Sequence, residues 1–315
     1  MTPSPLSPVD APTVPRASGF LKPSHERGLR ALAAIAEKRF RDAVAHIDAI
    51  PDTCWIDRAW KLILRGWVAL ERGECALAES VLVQAYGLIL LNTGDRSGCV
   101  EGAGAADVLG EPRPGRLTAL ALEKLGVAYR RLDDPKSAEQ VHRATYELRL
   151  EEGSPEELWE TATSLGMDAG VAGRFEPAAA WHRIAIEHGL CATEEPSRLA
   201  AVSWQHLSQS LTGAEKHDEA VDAAEKAREH WHRHEPGALQ AAKADLVLGQ
   251  ALLRGGEALF SRDPSATKGM LVKSIAFLAE AHESLLAFGA EGRADATMCM
   301  EQKDFAERLK ASLDC

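Results

Sequence analysis

The residues best suited to chemistry are the histidines, of which there are eleven. His230, His232 and His234 stand in the run Glu229-His-Trp-His-Arg-His-Glu235. His230 and His234 are four apart and share a helix face, a spacing that can hold a metal ion. Two imidazoles beside Glu229 or Glu235 do not complete such a site. The run also directly precedes Pro236-Gly237, where basic side chains complement the negative end of a helix dipole. For acid–base work, Glu151-Glu152, Glu156-Glu157 and Glu194-Glu195 are paired carboxylates. Each lies beside Ser-Pro or Pro-Ser at an expected helix start, where acids are electrostatically at home, so they read as solvated caps. No GxSxG, HExxH, GxGxxG or DxDxDG occurs, and no cysteine sits in a recognisable nucleophile context. Nothing positive points to an enzyme, and no cofactor or resident metal is expected.

The chain that must position such residues has 315 positions, 45% hydrophobic and 26% charged, enough for one large domain or two. Acids outnumber bases 47 to 36, a formal charge of −11. That balance argues against nucleic acid or an anionic membrane as partner. Aromatics are 5% and alanine is frequent, which favours helix over sheet. Cys54, Cys75, Cys99, Cys191, Cys299 and Cys315 form no CxxC pair and read as reduced, mostly buried thiols of a cytoplasmic protein. Residues 1–22 carry Pro3, Pro5, Pro8, Pro12 and Pro15, so a disordered tail is expected there, not a secretory signal. The longest apolar stretch, Val81 to Leu91, is interrupted by Gln84 and is too short to span a membrane.

One spacing recurs. A small residue within a helical stretch is followed by Ala twelve residues on: Ala31/Ala43, Gly66/Ala78, Gly126/Ala138, Gly166/Ala178 and Ser208/Ala220. A sixth unit opens similarly at Leu248-Gly249, but Ser261 stands twelve on. Small residues let two antiparallel helices approach closely. Between the members lie turn signals such as Arg72-Gly73-Glu74, Asp133-Asp134-Pro135 and Ala172-Gly173-Arg174. The unit is a helix–turn–helix hairpin in which the small residue faces that Ala.

These positions resemble the tetratricopeptide repeat: Leu125-Gly126 with Tyr129 and Ala138, Trp204 with Leu207, Ala220 and Ala227, and Gly66, Gly73, Ala78 and Ala85. The resemblance implies an all-α fold, a right-handed superhelical solenoid of antiparallel helix pairs over residues 23–290. His142 and His182 each fall sixteen residues after a glycine, where the family packs an aromatic, which implies core histidines. Successive units start 35, 60, 40, 42 and 41 residues apart, against about 34 in the family. Long units of this kind resemble the arrays of bacterial regulators and of motor-cargo adaptors. The spacing of 60 marks a Gly/Pro-rich insertion, 92–116, expected to be a long mobile loop with no phosphate-cradling motif. Pro264 delays the last unit's second helix to about Ala266–Phe288. Residues 291–315 form a capping helix with Met298, Phe305 and Leu309 inward, or else a homodimer surface.

By resemblance, the first helix of each pair lines a concave groove at fixed positions around the small residue. Carried over, these are Trp60, Ile63 and Trp67; Glu123 and Arg130, with Arg131 adjacent; Met167; Gln205 and Gln209; and Lys243 and Gln250. Glutamine amides can pair with an extended peptide backbone, and the Trp pair could anchor an apolar side chain. Core packing of Trp60 and Trp67 is the competing reading. Where the family's carboxylate clamp places its Lys and Asn, this chain has Ile63/Trp67, Glu123/Val127 and Gln205/Gln209. The chain therefore reads first as a non-catalytic scaffold holding a peptide or partner protein. A regulatory sensor that changes shape on binding is the alternative, and a metal-dependent enzyme built on the histidines the remote one.

Overall fold

A computed structural model of the chain describes residues 23–93, 114–192 and 198–313. The expected 1–22 tail, residues 94–113 of the insertion, the Glu194-Glu195 pair, Cys99 and Cys315 lie outside them. The described residues form thirteen helices and no strand. They are α1 (Pro23–Ala36), α2 (Phe40–Asp48), α3 (Trp55–Glu71), α4 (Cys75–Asn92), α5 (Pro114–Arg131), α6 (Pro135–Glu152), α7 (Pro155–Val171), α8 (Phe175–Ala192), α9 (Arg198–Gly213), α10 (His217–His234), α11 (Leu239–Leu259), α12 (Pro264–Leu286) and α13 (Arg293–Leu313). Two compact units divide between Glu152 and Gly153. The first holds three hairpins, α1–α6. The second holds three more, α7–α12, with α13 packed on α12 and α11.

The repeat is visible in the backbone at every one of the first five turns. Seven residues after each small residue stands one with positive φ: Lys38 (55°), Gly73 (76°), Asp133 (63°), Gly173 (71°) and Glu215 (59°). The next residue's N–H then donates to the carbonyl five back, as in Glu74 to Ala69 at 2.8 Å, Arg174 to Ala169 at 2.8 Å and Lys216 to Leu211 at 2.9 Å. This is the Schellman termination, and it reverses the chain within three residues. A side chain in the left-handed region costs about 1–2 kcal/mol, which glycine avoids. Glu215→Gly is therefore expected to stabilise the protein by up to about 1 kcal/mol, net of glycine's greater unfolded-state entropy. A raised urea midpoint at unchanged slope checks this; a lowered midpoint contradicts it.

Packing across each hairpin corrects the spacing argument. The alanines twelve on are all fully buried, but the side chain over each glycine is the one sixteen on. A Cβ on Gly66 would lie 2.6 Å from Leu82, on Gly126 2.4 Å from His142, and on Gly166 2.3 Å from His182. The turn lies eight residues from either member, so in an antiparallel pair the +16 residue is directly opposite. Ser208 differs: it donates to the Ala220 carbonyl at 2.8 Å, and the opposite residue shrinks to Ala224. In the sixth pair α11 runs to Leu259, farther past its glycine than the earlier first helices do, and the contact of Gly249 moves to Leu278. The turn ends at Asp263, which caps α12 by accepting from Ala266 N at 2.9 Å.

Three local expectations change. Glu151 and Glu152 end α6 instead of starting a helix. The Ser-Pro signal beside them belongs to α7, where Ser154 and Glu157 form a reciprocal capping box. On α13 the inward residues are Ala296, Cys299 and Ala306, while Met298 and Phe305 are exposed. Small residues let α13 lie close on α12, whose Leu278 and Leu285 fill the interface. Burial there pushes the Cys299 thiol up to about 12. Finally, α4 extends well beyond Val81–Leu91. With 18 residues and a mean hydropathy of 1.5 it is long and apolar enough to cross a membrane. Its Ala78, Leu82, Ala85 and Ile89 are nevertheless fully buried among residues of α3 and α5.

Candidate functional site

In the second unit the first helices of successive pairs, α7, α9 and α11, pack side by side, and α13 continues the row. A cleft of about 260 Å³ opens on this face. Ser208, Gln209 and Thr212 of α9 line it with Val247, Gln250, Leu253 and Arg254 of α11 and Gln302 of α13. Val247 and Leu253 are buried and give the cleft an apolar floor. Ser208 and Thr212 are engaged by backbone carbonyls, Ala220 O at 2.8 Å and Ser208 O at 2.9 Å.

The remaining polar groups face a ligand-sized space with weak commitments. Gln209 is exposed. Gln250 donates to the Met298 sulfur at 3.1 Å, a poor acceptor that a carbonyl would readily replace. The Gln302 Oε1 is buried and accepts no hydrogen bond, which is costly until a donor arrives. Arg254 supplies a guanidinium, held by Glu257 at 2.7 Å but mostly exposed. Three amides and one cation over an apolar floor suit an extended peptide, whose backbone alternates donors and acceptors.

Of the residues expected from sequence, Gln209 and Gln250 line this cleft. Gln205 is buried and reaches the Gln240 carbonyl at 3.4 Å. Lys243 pairs with Asp295 of α13 at 3.4 Å, and Met167 is exposed on α7. In the first unit the structure turns several of them inward. Trp60 lies in the core against Gly28, and Ile63 is fully buried beside it. Glu123 is 1% exposed, with Oε2 3.1 Å from Arg149 and Oε1 3.6 Å from His142. None of these three side chains presents a surface to a ligand. Trp67 is half-buried, with the Lys124 ammonium 4.2 Å from its ring centre. Arg131 donates to the Leu70 carbonyl at the end of α3, and Arg130 is half-buried at the end of α5. Sequence reasoning missed Arg254 and Gln302. Arg254 lies about one helical turn after the groove position Gln250. Gln302 lies one turn after Met298 on a helix whose expected roles were a cap or a homodimer surface.

The histidine run borders a second, smaller cleft of about 160 Å³ between α8, α9 and α10, which His230 lines with Trp204, Lys226 and Arg233. The rings of His230 and His234 are 4.8 Å apart, while His232 turns away to Asp245 at 2.9 Å. Among the described residues no three His, Cys, Asp or Glu side chains converge as metal ligands.

No family model matches the sequence, and no curated protein does. Solved structures do resemble it. The apo form of RapI is 10% identical with a TM-score of 0.57, the match covering 92% of this chain and 98% of that one. A Rap protein complexed with Competence and Sporulation Factor is 13% identical at 0.55, covering 92% and 76%. The Signal Transduction ATPase with Numerous Domains protein with a tetratricopeptide repeat sensor, PH0952 from Pyrococcus horikoshii, is 12% identical at 0.62, covering 92% and 43%. Likeness at such identities is likeness of fold, and with the five phased turns it makes this chain a tetratricopeptide-type array of helix pairs.

Proposed function

We propose that the chain is a non-catalytic interaction protein that holds an extended peptide segment along the first-helix face of its second unit. The observation that carries this reading is the cleft where Gln209, Gln250, Gln302 and Arg254 converge, with the Gln302 oxygen buried and unsatisfied. The fold supports it, since a similar Rap structure was solved with Competence and Sporulation Factor bound. Peptides selected from a displayed random library against the full chain provide the probe. Gln250→Ala and Gln302→Ala are each expected to weaken their binding about tenfold, the worth of one or two peptide hydrogen bonds. Selected peptides that bind the double variant as well as the parent would overturn the assignment.

A regulatory reading has its own support. Across the cleft, the polar ties between α13 and α11 include the weak Gln250–Met298 contact and the partly exposed Lys243–Asp295 pair, beside the apolar packing of Leu246 and Leu253. A ligand that takes Gln250 and Gln302 competes with the first of these and shifts α13. Hydrogen exchange in α13, with and without a selected peptide, separates a sensor from a rigid scaffold.

A further inference from the structure

Helix α4 carries a face that the hairpin does not use. Its outward side consists of Ala76, Leu77, Ser80, Val83, Gln84, Gly87, Leu90 and Leu91, and the whole helix holds a single charged residue, Glu79. Leu77, Val83 and Leu90 are about half exposed, and Leu91 is 85% exposed. An uncharged, largely apolar face of this kind, interrupted by Ser80 and by Gln84, whose amide donates to the Ser80 hydroxyl at 3.4 Å, marks an interaction site on a surface otherwise rich in charge. Gly87 adds a second observation. A glycine inside a helix is destabilising, and it is normally retained where φ is positive or where another group approaches closely. Gly87 has neither: its φ is not positive, and a Cβ built there would meet nothing within 4 Å.

The order of side chains along this face says what covers it. About the midpoint between Val83 and Gln84, the outward positions exchange in four pairs: Val83 with Gln84, Ser80 with Gly87, Ala76 with Leu91, and Leu77 with Leu90. Two copies of α4 laid antiparallel across a two-fold axis therefore set Ser80 of one against Gly87 of the other, small against small, where the backbones come closest. Ala76 leaves room for the long Leu91, and Leu77 meets Leu90. Such self-complementarity is the requirement of an isologous interface. Electrostatics points the same way. The chain has a net charge of −11, so copies meeting through most other surfaces bring like charges together, whereas this face brings none. We infer that the outward face of α4 is the surface through which two copies of this chain associate, with Val83 and Gln84 at the axis and the Ser80–Gly87 contacts on either side of it.

Sedimentation velocity of the full chain under reducing conditions, from about 1 to 100 μM, reads the association directly. The mass is expected to rise with concentration from 34.0 kDa toward twice that value. Leu90→Glu combined with Leu91→Glu alters exposed positions only, and is expected to hold the chain monomeric with its circular dichroism unchanged. Gly87→Leu separates interface from fold. It fills open space in the single copy and is expected to raise the melting temperature of the monomer, yet it blocks the close approach and abolishes the dimer. A monomer at every concentration would sink the inference, and so would a dimer that survives both variants. A monomer that binds neutral phosphatidylcholine vesicles, and loses that binding with the glutamate variant, would assign the face to a lipid surface instead.

Discussion

Glu123→Ala is expected to destabilise the protein by about 3–5 kcal/mol, the usual consequence of removing one partner from a buried ion pair. The carboxylate sits between Arg149 and His142 on α6, both nearly inaccessible to water. His142 is held there by the glycine across the hairpin, and its Nε2 also lies 3.2 Å from the Glu123 carbonyl oxygen. Taking away the acid removes the carboxylate that stands 3.1 Å from the buried Arg149 guanidinium. The decisive control replaces both charges. Glu123→Leu with Arg149→Met is expected to recover most of the loss, because an apolar pair of similar volume needs no compensation. Urea unfolding of the two variants checks the claim. A loss below about 1 kcal/mol for Glu123→Ala would place this pair with exposed surface bridges, contrary to its burial.

His182→Leu is expected to make the protein more resistant to acid. The imidazole packs over Gly166 and stacks on His206 of α9 with ring centres 5.4 Å apart. Burial, reinforced by the neighbouring His206, pushes its pKa from 6.5 down to about 3. In the unfolded chain the same ring takes up a proton near pH 6.5. Between pH 6.5 and 3 the unfolded state therefore binds more protons than the folded one, and stability falls as the pH falls. Each unit of difference is worth about 1.4 kcal/mol, so the full window amounts to several kcal/mol. Leucine is the informative replacement because the second hairpin already uses it: Leu82 fills the same place over Gly66. The variant is expected to match the parent near pH 7.5 and to exceed it increasingly below pH 6. Parallel losses of stability with pH in both proteins would show that His182 is not the responsible group.

Both predictions rest on residues that the sequence marked only in part. The spacing of His142 and His182 from Gly126 and Gly166 was legible, because a hairpin's register follows from a fixed distance to a nearby turn. That distance also places the left-handed residue seven positions after each small one. These are local facts, encoded within about twenty residues, and they suffice to specify helix pairs, their phase and the all-α class. The candidate cleft was half legible for the same reason. Gln209 and Gln250 each directly follow the small residue of their helix, and the groove side of one helix repeats on the next.

What the sequence could not decide was which side of a first helix stays open once its neighbours arrive. Trp60, Ile63 and Glu123 occupy groove positions by register, yet the core closes over Trp60 and Ile63, and α6 covers Glu123. A helix surface spans more than one contact, so the same periodicity serves either a groove or a packing seam. The choice depends on crossing angles and on residues far along the chain. Gln302 shows this most plainly: it enters the cleft from α13, some fifty residues beyond Gln250, through packing of Ala296 and Cys299 that brings the helix close. Periodicity within the chain thus determined the hairpins, and only their mutual packing determined which of their faces remain free to bind.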